Sequence, residues 1–169
     1  DPLWRRLIAS LRTAGYPLSP ALSRPEEFDT LATASQPEGY LGLIYADGDG
    51  IGRELEQLGT LKEIEQFARA VDAAAYRALV QAIGQHLHPV PTPEGLVFPF
   101  DVLLLGGDDL VLVTVADRAL EVALSLVEDF AEETRKQLGR PLRLSAMVVL
   151  AHARYPFGAL LKLAESGLF

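Results

Sequence analysis

The stretch LLLGGDDLVLV, residues 103–113, decides the fold, since it places two glycines and two carboxylates between two apolar runs. Two strands joined by such a short segment are typical of a β-hairpin. Gly and Asp suit a tight turn, so a turn alone accounts for one or two of these residues. It does not require two adjacent carboxylates, whose mutual repulsion is removed only by a cation or by protonation.

A second acidic turn, Asp47-Gly48-Asp49, follows an apolar run that predicts a buried strand over residues 42–46. Taken alone, this turn is equally consistent with an Asp N-cap in front of a helix. Gly50-Ile51-Gly52 comes next, and a short turn or helix is expected to begin near Arg53. Backbone amides exposed at such a place can hold triphosphate oxygens.

The remaining elements give a β-α-β-β-α-β order followed by one more helix. Helices are predicted at 2–12, 61–87, 116–138 and 157–166, and further strands at 96–105, 110–115 and 142–151. Residues 15–40 are rich in Pro, Ser, Thr and Gly and are expected to form a linker. The order predicts an α+β, ferredoxin-like βαββαβ fold, with a trailing C-terminal helix and an N-terminal helical arm. Two domains are expected, an arm at 1–38 and a main domain at 39–169.

In this topology the first strand lies beside the third and antiparallel to it. The end of the first strand, with Asp47 and Asp49, then meets the hairpin turn that carries Asp108 and Asp109. Four converging carboxylates are the hard oxygen ligands that two Mg²⁺ or Mn²⁺ ions require in phosphoryl transfer. The sequence therefore favours a metal-dependent nucleotide-polymerising or nucleotide-cyclising enzyme.

Composition narrows the classes of function. The net charge of −8, from 15 basic and 23 acidic residues, argues against strong stand-alone binding to nucleic acid. The absence of cysteine excludes disulfides and thiolate metal sites. There is no apolar run long enough to span a membrane, and a cytoplasmic location is expected. His86, His88 and His152 form a poor zinc set, because the first two point in different directions at a helix end.

Three stretches carry a resemblance to a known family: YADGDGIG at 45–52, the hairpin at 103–113, and LRLSAMVVLAHARYPFGALLKLAES at 142–166. They resemble the palm domain of the large Cas10 subunit of type III CRISPR complexes. The likeness is greatest to its Cmr2 branch and to the related stand-alone minimal CRISPR polymerases. It covers residues 40–169, with the three motifs in the family's order and spacing.

The resemblance implies an enzyme that uses ATP and two divalent ions, Mg²⁺ or Mn²⁺, to make cyclic oligoadenylates or cyclic dinucleotides as antiviral second messengers. By position, Asp47, Asp108 and Asp109 would be catalytic and would bind the metals, with Asp49 as a further ligand. The nucleotide contacts expected from the motifs and their surroundings are Gly48, Asp49, Gly50, Ile51, Gly52, Gly106, Gly107, Ser145 and Lys162.

Two other functions remain open at this stage. One is an inactive palm that serves as a scaffold module of a CRISPR ribonucleoprotein, and the other is a diguanylate cyclase. Asp109 stands where diguanylate cyclases continue with the Glu-Phe of their GGDEF motif, and this difference favours the CRISPR-type palm. The family's large subunits carry two palms with ATP between them. A second palm is therefore an expected partner, from a longer subunit or a homodimer, as are type III CRISPR subunits with crRNA and target RNA.

Overall fold

The computed structural model describes residues 1–168; Phe169, the last residue of the predicted main domain, lies outside this range. The helices are α1 Pro2–Thr13, α2 Phe28–Ala34, α3 Ile51–Glu56, α4 Leu61–His86, α5 Ala119–Leu138 and α6 Phe157–Ser166. The strands are β1 Leu22–Ser23, β2 Tyr40–Gly48, β3 Val90–Thr92, β4 Gly95–Val97, β5 Phe100–Gly106, β6 Asp109–Val115 and β7 Leu144–His152.

The main sheet has four strands in the order β5-β6-β2-β7, and all neighbouring pairs are antiparallel. With α4 between β2 and β5 and α5 between β6 and β7, this is the ferredoxin-like βαββαβ arrangement. The predicted α+β fold, its trailing helix α6 and its N-terminal helix α1 are confirmed. The first strand of the motif, β2, lies between β6 and β7.

Helices cover both faces of this sheet, and the alternation of side chains along β2 shows why. Ile44 is fully buried and packs in the larger cluster, which contains residues of α1, α4 and α5. Leu43 points to the opposite face and packs in a second cluster with residues of α2 and α6. Burying such a side chain contributes about 1.5–3 kcal/mol, so both helix layers stabilise the same sheet.

The predicted linker at 15–40 is wrong in part, because it contains the two-residue strand β1 and the helix α2. Leu31 and Ala32 of α2 are buried against the sheet. Phe28 lies 5.2 Å from Phe157 of α6, ring centroid to ring centroid. A helix of seven residues has too few turns to give a periodic pattern, and Glu27 makes no side-chain cap at its start. The sequence therefore contains no pattern that predicts α2.

The single strand predicted at 96–105 is also wrong, since the chain divides it into β4 and β5 around Pro99. Proline has no N–H to donate to a strand ladder. The Pro99 carbonyl instead accepts a hydrogen bond of 2.7 Å from the Thr114 hydroxyl. Strand β4 joins a separate small sheet in the order β1-β4-β3.

The N-terminal segment packs on the main core. Leu7 and Leu11 of α1 are buried in the larger cluster, and the Trp4 ring lies 4.9 Å from that of Phe100. Arg24 donates to both carboxylate oxygens of Asp101 on β5, at 2.9 and 2.8 Å. The boundary at residues 38 and 39 stays a prediction.

Candidate metal and nucleotide site

Two carboxylates face each other where β2 ends and β6 begins. The register pairs Ala46 with Leu110, so the next position places Asp47 opposite Asp109. Their side chains interact directly, and this interaction raises the pKa of Asp47. Side chains alternate along a strand, so both acids lie on the sheet face that α6 covers, two residues along each strand from Tyr45 and Val111.

The protonation of Asp47 reflects this crowding. Its pKa is raised from 3.8 to about 6, mostly by burial and next by the direct interaction with the Asp109 side chain. The negative charges of Asp109, Asp108 and Asp49 add to the effect. Burial and the charge of Asp109 also raise the pKa of the neighbouring Tyr45. The carboxylates therefore lie in a field that disfavours further negative charge and favours a cation.

Asp108 lies in the turn between β5 and β6 and packs against Gly48. A Cβ atom at Gly48 would lie 2.6 Å from Asp108 Cβ and 2.3 Å from Ile51 Cδ1, so no larger residue fits there. Burial is the largest cause of the raised pKa of Asp108, followed among the raising causes by the charges of Asp109 and Asp72. Hydrogen bonds from its own amide and that of Gly48 act in the opposite direction.

The turn itself is a two-residue hairpin loop formed by Gly107 and Asp108. Gly106 pairs with Asp109 at its base, and Gly107 has a φ of +61°, which glycine adopts without strain. The Gly107 amide donates a 2.8 Å hydrogen bond to Oδ1 of Asp72 on α4. No local sequence pattern marks Asp72, which lies 35 residues before its partner.

Asp49 is held by the neighbouring strand β7. Its amide donates to the Arg143 carbonyl at 3.0 Å, and the Ser145 hydroxyl donates to Asp49 Oδ1 at 2.6 Å. Ser145 is the register partner of Asp47. The structure therefore brings Asp47, Asp49 and Ser145 to one edge of the sheet.

The segment after Asp49 differs from expectation in its helix start. Helix α3 begins at Ile51, two residues before the predicted position, with Gly50 at a φ of +72°. The Ile51 side chain is buried, so only its backbone is available to a ligand. Nothing lies within 4 Å of a Cβ placed on Gly52. Lys162 is exposed on α6 and forms no hydrogen bond or ion pair with the four acids within residues 1–168.

A groove of about 610 Å³ runs beside the hairpin turn. Its polar and aromatic wall includes Arg6, Arg69, Asp72 and Tyr76, and its floor includes Gly106 and Gly107. The Arg6 guanidinium stacks on the Tyr76 ring, 4.0 Å from its centroid. Such a mixture of flat, cationic and carboxylate surfaces is suited to a nucleotide.

The donor set fits a hard divalent cation in its chemistry, since all four acids supply carboxylate oxygens. Within the described chain, no group of three or more His, Cys, Asp or Glu side chains is drawn together closely enough to hold a metal. Asp47 instead lies beside Asp109, while Asp49 accepts a hydrogen bond from Ser145. None of the helices in residues 1–168 has the length and apolar character needed to cross a membrane.

The fold and the acids at its edge define a palm, a ferredoxin-like α+β domain with carboxylates at the end of its central strands. The family model for Cas10/Cmr2, second palm domain, matches residues 40–169. The chain therefore belongs to the Cas10/Cmr2 family, in the region of its second palm.

Individual relatives agree with this assignment. The chain is 26% identical over 138 residues to the CRISPR system Cmr subunit Cmr2 of Pyrococcus furiosus, covering 71% of this chain and 15% of that protein. Crystal structures of the Csm1–Csm4 cassette with one ATP and with cA4 match 82% of this chain and 20% of theirs. Their TM-scores are 0.65 and 0.64, at 23% and 22% identity. The likeness to these structures is one of fold, and the chain spans a small part of each relative.

Proposed function

We propose that this chain is the catalytic palm of a nucleotidyltransferase that converts ATP, with Mg²⁺ or Mn²⁺, into cyclic oligoadenylates or cyclic dinucleotides for CRISPR-type defence. Two metal ions per site are proposed, held by Asp47, Asp49, Asp108 and Asp109. Catalytic roles are proposed for Asp47, Asp108 and Asp109.

The observation that carries this proposal is the pairing of Asp47 with Asp109 across β2 and β6. Two adjacent carboxylates, one of them with a pKa raised to about 6 by burial and by its acidic neighbours, are costly to keep unless a cation balances their charge. Asp108 adds a third carboxylate one residue away along the chain. A tight turn alone would need none of the three.

The role proposed for these residues is to hold a divalent ion in position. A bound divalent ion would supply the charge that activates a ribose hydroxyl and that steadies the leaving pyrophosphate. The carboxylates of Asp47, Asp108 and Asp109 would hold this ion in position. Gly48 permits Asp108 to lie close to β2. No protein nucleophile is required, since catalysis of this reaction is mainly positioning and electrostatic stabilisation.

The nucleotide is proposed to lie across the turn, with its phosphates near the backbone of Gly50, Ile51 and Gly52. The groove beside Gly106 and Gly107 would receive its base. Lys162 and Ser145 are proposed phosphate contacts. Ser145 would then exchange its bond to Asp49 for one to substrate.

A second palm is proposed to complete the site, because two nucleotides must meet for a ribose hydroxyl of one to attack a phosphate of the other. This partner is either another domain of a longer subunit or a second copy of the chain. The relatives named above are a subunit of a Cmr system and a cassette of Csm subunits. By analogy we extend such an assembly, with crRNA and target RNA, to this chain.

The test is incubation of the purified chain with ATP and Mn²⁺, followed by mass spectrometry of the products. We expect a cyclic adenylate from the native chain and none from Asp108→Ala/Asp109→Ala. Glu128→Gln on α5, which removes one exposed carboxylate outside the site, is the matched control and should retain activity. A product that persists in the double variant would contradict the assignment.

The scaffold alternative makes the opposite prediction. An inactive palm would give no product and would bind ATP with Mn²⁺ no better than the double variant does. Absence of product with retained, Asp109-dependent ATP binding would instead indicate a competent site that awaits its second palm or RNA.

A further inference from the structure

Within residues 1–168, one hydrogen bond links α4 to the hairpin turn. Oδ1 of Asp72 accepts from the Gly107 amide at 2.8 Å, although the two residues are 35 apart in sequence. The backbone around Asp72 is fixed, because Val71 and Ala74 on either side are buried in the main core. Asp72 itself is exposed, so it is not needed to fill the interior.

Packing does not hold the two glycines of this turn in place. A Cβ atom built on Gly106 or Gly107 would meet no heavy atom within 4 Å. Gly107 also lacks a side chain that could restrict its backbone, so the turn gains its order from hydrogen bonds. The ladder pair at Gly106 and Asp109 closes the turn, and the contact with Asp72 ties it to a helix.

The carboxylate at position 72 adds charge where the acids already repel one another. Arg69, one turn earlier on α4, forms its ion pair with Glu65. Within residues 1–168, Asp72 has no ion pair of its own. A neutral acceptor would make the same hydrogen bond to Gly107, so the hydrogen bond alone does not require the negative charge of Asp72.

We infer that Asp72 is a positioning residue for the catalytic turn: it fixes the Gly107 amide and so the direction of Asp108, and its charge strengthens the attraction for a divalent ion. The first role stands on the hydrogen bond alone, whereas the second rests on the proposed function. Asp72 acts through the turn and is not assigned as a metal ligand.

Three variants separate these roles. Asp72→Ala removes both the acceptor and the charge, Asp72→Asn keeps an acceptor oxygen and removes the charge, and Glu65→Gln removes an exposed carboxylate two turns earlier on the same helix. All three alter exposed side chains, so the fold should be retained. Circular dichroism and the melting temperature verify this.

Amide hydrogen exchange of Gly107 in the metal-free chain measures the positioning role directly. We expect exchange to be about tenfold faster in Asp72→Ala, because this variant loses the hydrogen bond. In Asp72→Asn and Glu65→Gln, which keep an acceptor at position 72, the exchange rate should stay within about threefold of the native rate. Exchange in Asp72→Ala within twofold of native would overturn the inference.

Mn²⁺ titration followed by electron paramagnetic resonance measures the charge role. We expect the dissociation constant to rise about tenfold in Asp72→Ala and about threefold in Asp72→Asn, with Glu65→Gln unchanged. Unaltered affinity in Asp72→Asn would overturn the charge role. If the native chain binds no Mn²⁺, the proposed function and the charge role both fail, and the exchange experiment still decides the positioning role.

Discussion

At the scale of single residues, the juxtaposition of Asp47 and Asp109 is the feature with the clearest consequences. A carboxyl group whose pKa is raised in the folded state stabilises the fold below its ordinary pKa and loses that contribution as the pH rises through the folded value. For Asp47 the loss falls between about 4 and about 6. The metal-free chain at neutral pH therefore carries an unfavourable charge at this position.

Asp47→Asn should for this reason stabilise the metal-free chain. We expect its melting temperature at pH 7.5 in chelator to exceed the native value by roughly 2–4 °C, and the difference to vanish at pH 4. Thermal melts at the two pH values measure this. An equal or lower melting temperature at pH 7.5 would show that the acids do not repel one another in the folded state.

The affinity for a divalent ion should change over the same pH range as the stability, but in the opposite direction: it should rise as the pH rises. A protonated Asp47 competes with a cation, so Mn²⁺ affinity should fall about tenfold per pH unit below 6. Titrations between pH 5 and pH 8 would show it, with a plateau above 7. Affinity that is flat across this range would exclude Asp47 as a ligand.

Gly48 is the residue whose size decides the position of Asp108. Gly48→Ala would place a Cβ atom 2.6 Å from Asp108 Cβ and 2.3 Å from Ile51 Cδ1. We expect a loss of about 1–3 kcal/mol in the free energy of unfolding, together with weaker Mn²⁺ binding. Denaturant unfolding measures the first. Gly52→Ala is the control, since nothing lies within 4 Å of its added Cβ, and it should leave stability almost unchanged.

At the scale of elements, α2 is the helix that sequence reasoning missed and the structure uses to close the second face of the sheet. Leu31→Ala should cost about 2–5 kcal/mol in the free energy of unfolding, because the side chain is fully buried against the sheet. A cost below 0.5 kcal/mol, as expected for the exposed Thr33→Ala control, would mean that α2 is a detachable linker.

The elements that could be predicted are those with long or strongly apolar patterns. α4, α5 and the strands around the two acidic turns follow from periodicity, and their topology alone brings Asp47 close to Asp109. The break between β4 and β5 at Pro99 could not be predicted, because the residues on both sides of it are apolar. The contact of Asp72 with the turn could not be predicted for a different reason: a hydrogen bond between residues 35 apart leaves no local pattern in the sequence.

At the scale of the whole molecule, one palm presents one set of acids, whereas cyclisation joins two nucleotides. If two copies pair with their GGDD turns facing, specific activity should rise with chain concentration until the pair is saturated. Product assays over a hundredfold range of concentration, with sedimentation on the same samples, would show the two curves together. Activity per chain that is independent of concentration in a monomer would contradict pairing of two copies.

The most direct test of the central claim, that these acids form a site for a divalent ion and a nucleotide, is calorimetric titration of ATP with Mn²⁺ at pH 7.5. The native chain and Glu128→Gln should bind alike, and Asp109→Asn should bind at least about tenfold more weakly, because a ligand charge is lost. Equal binding by the native chain and Asp109→Asn, or no binding by either, would contradict the site described for Asp47, Asp108 and Asp109.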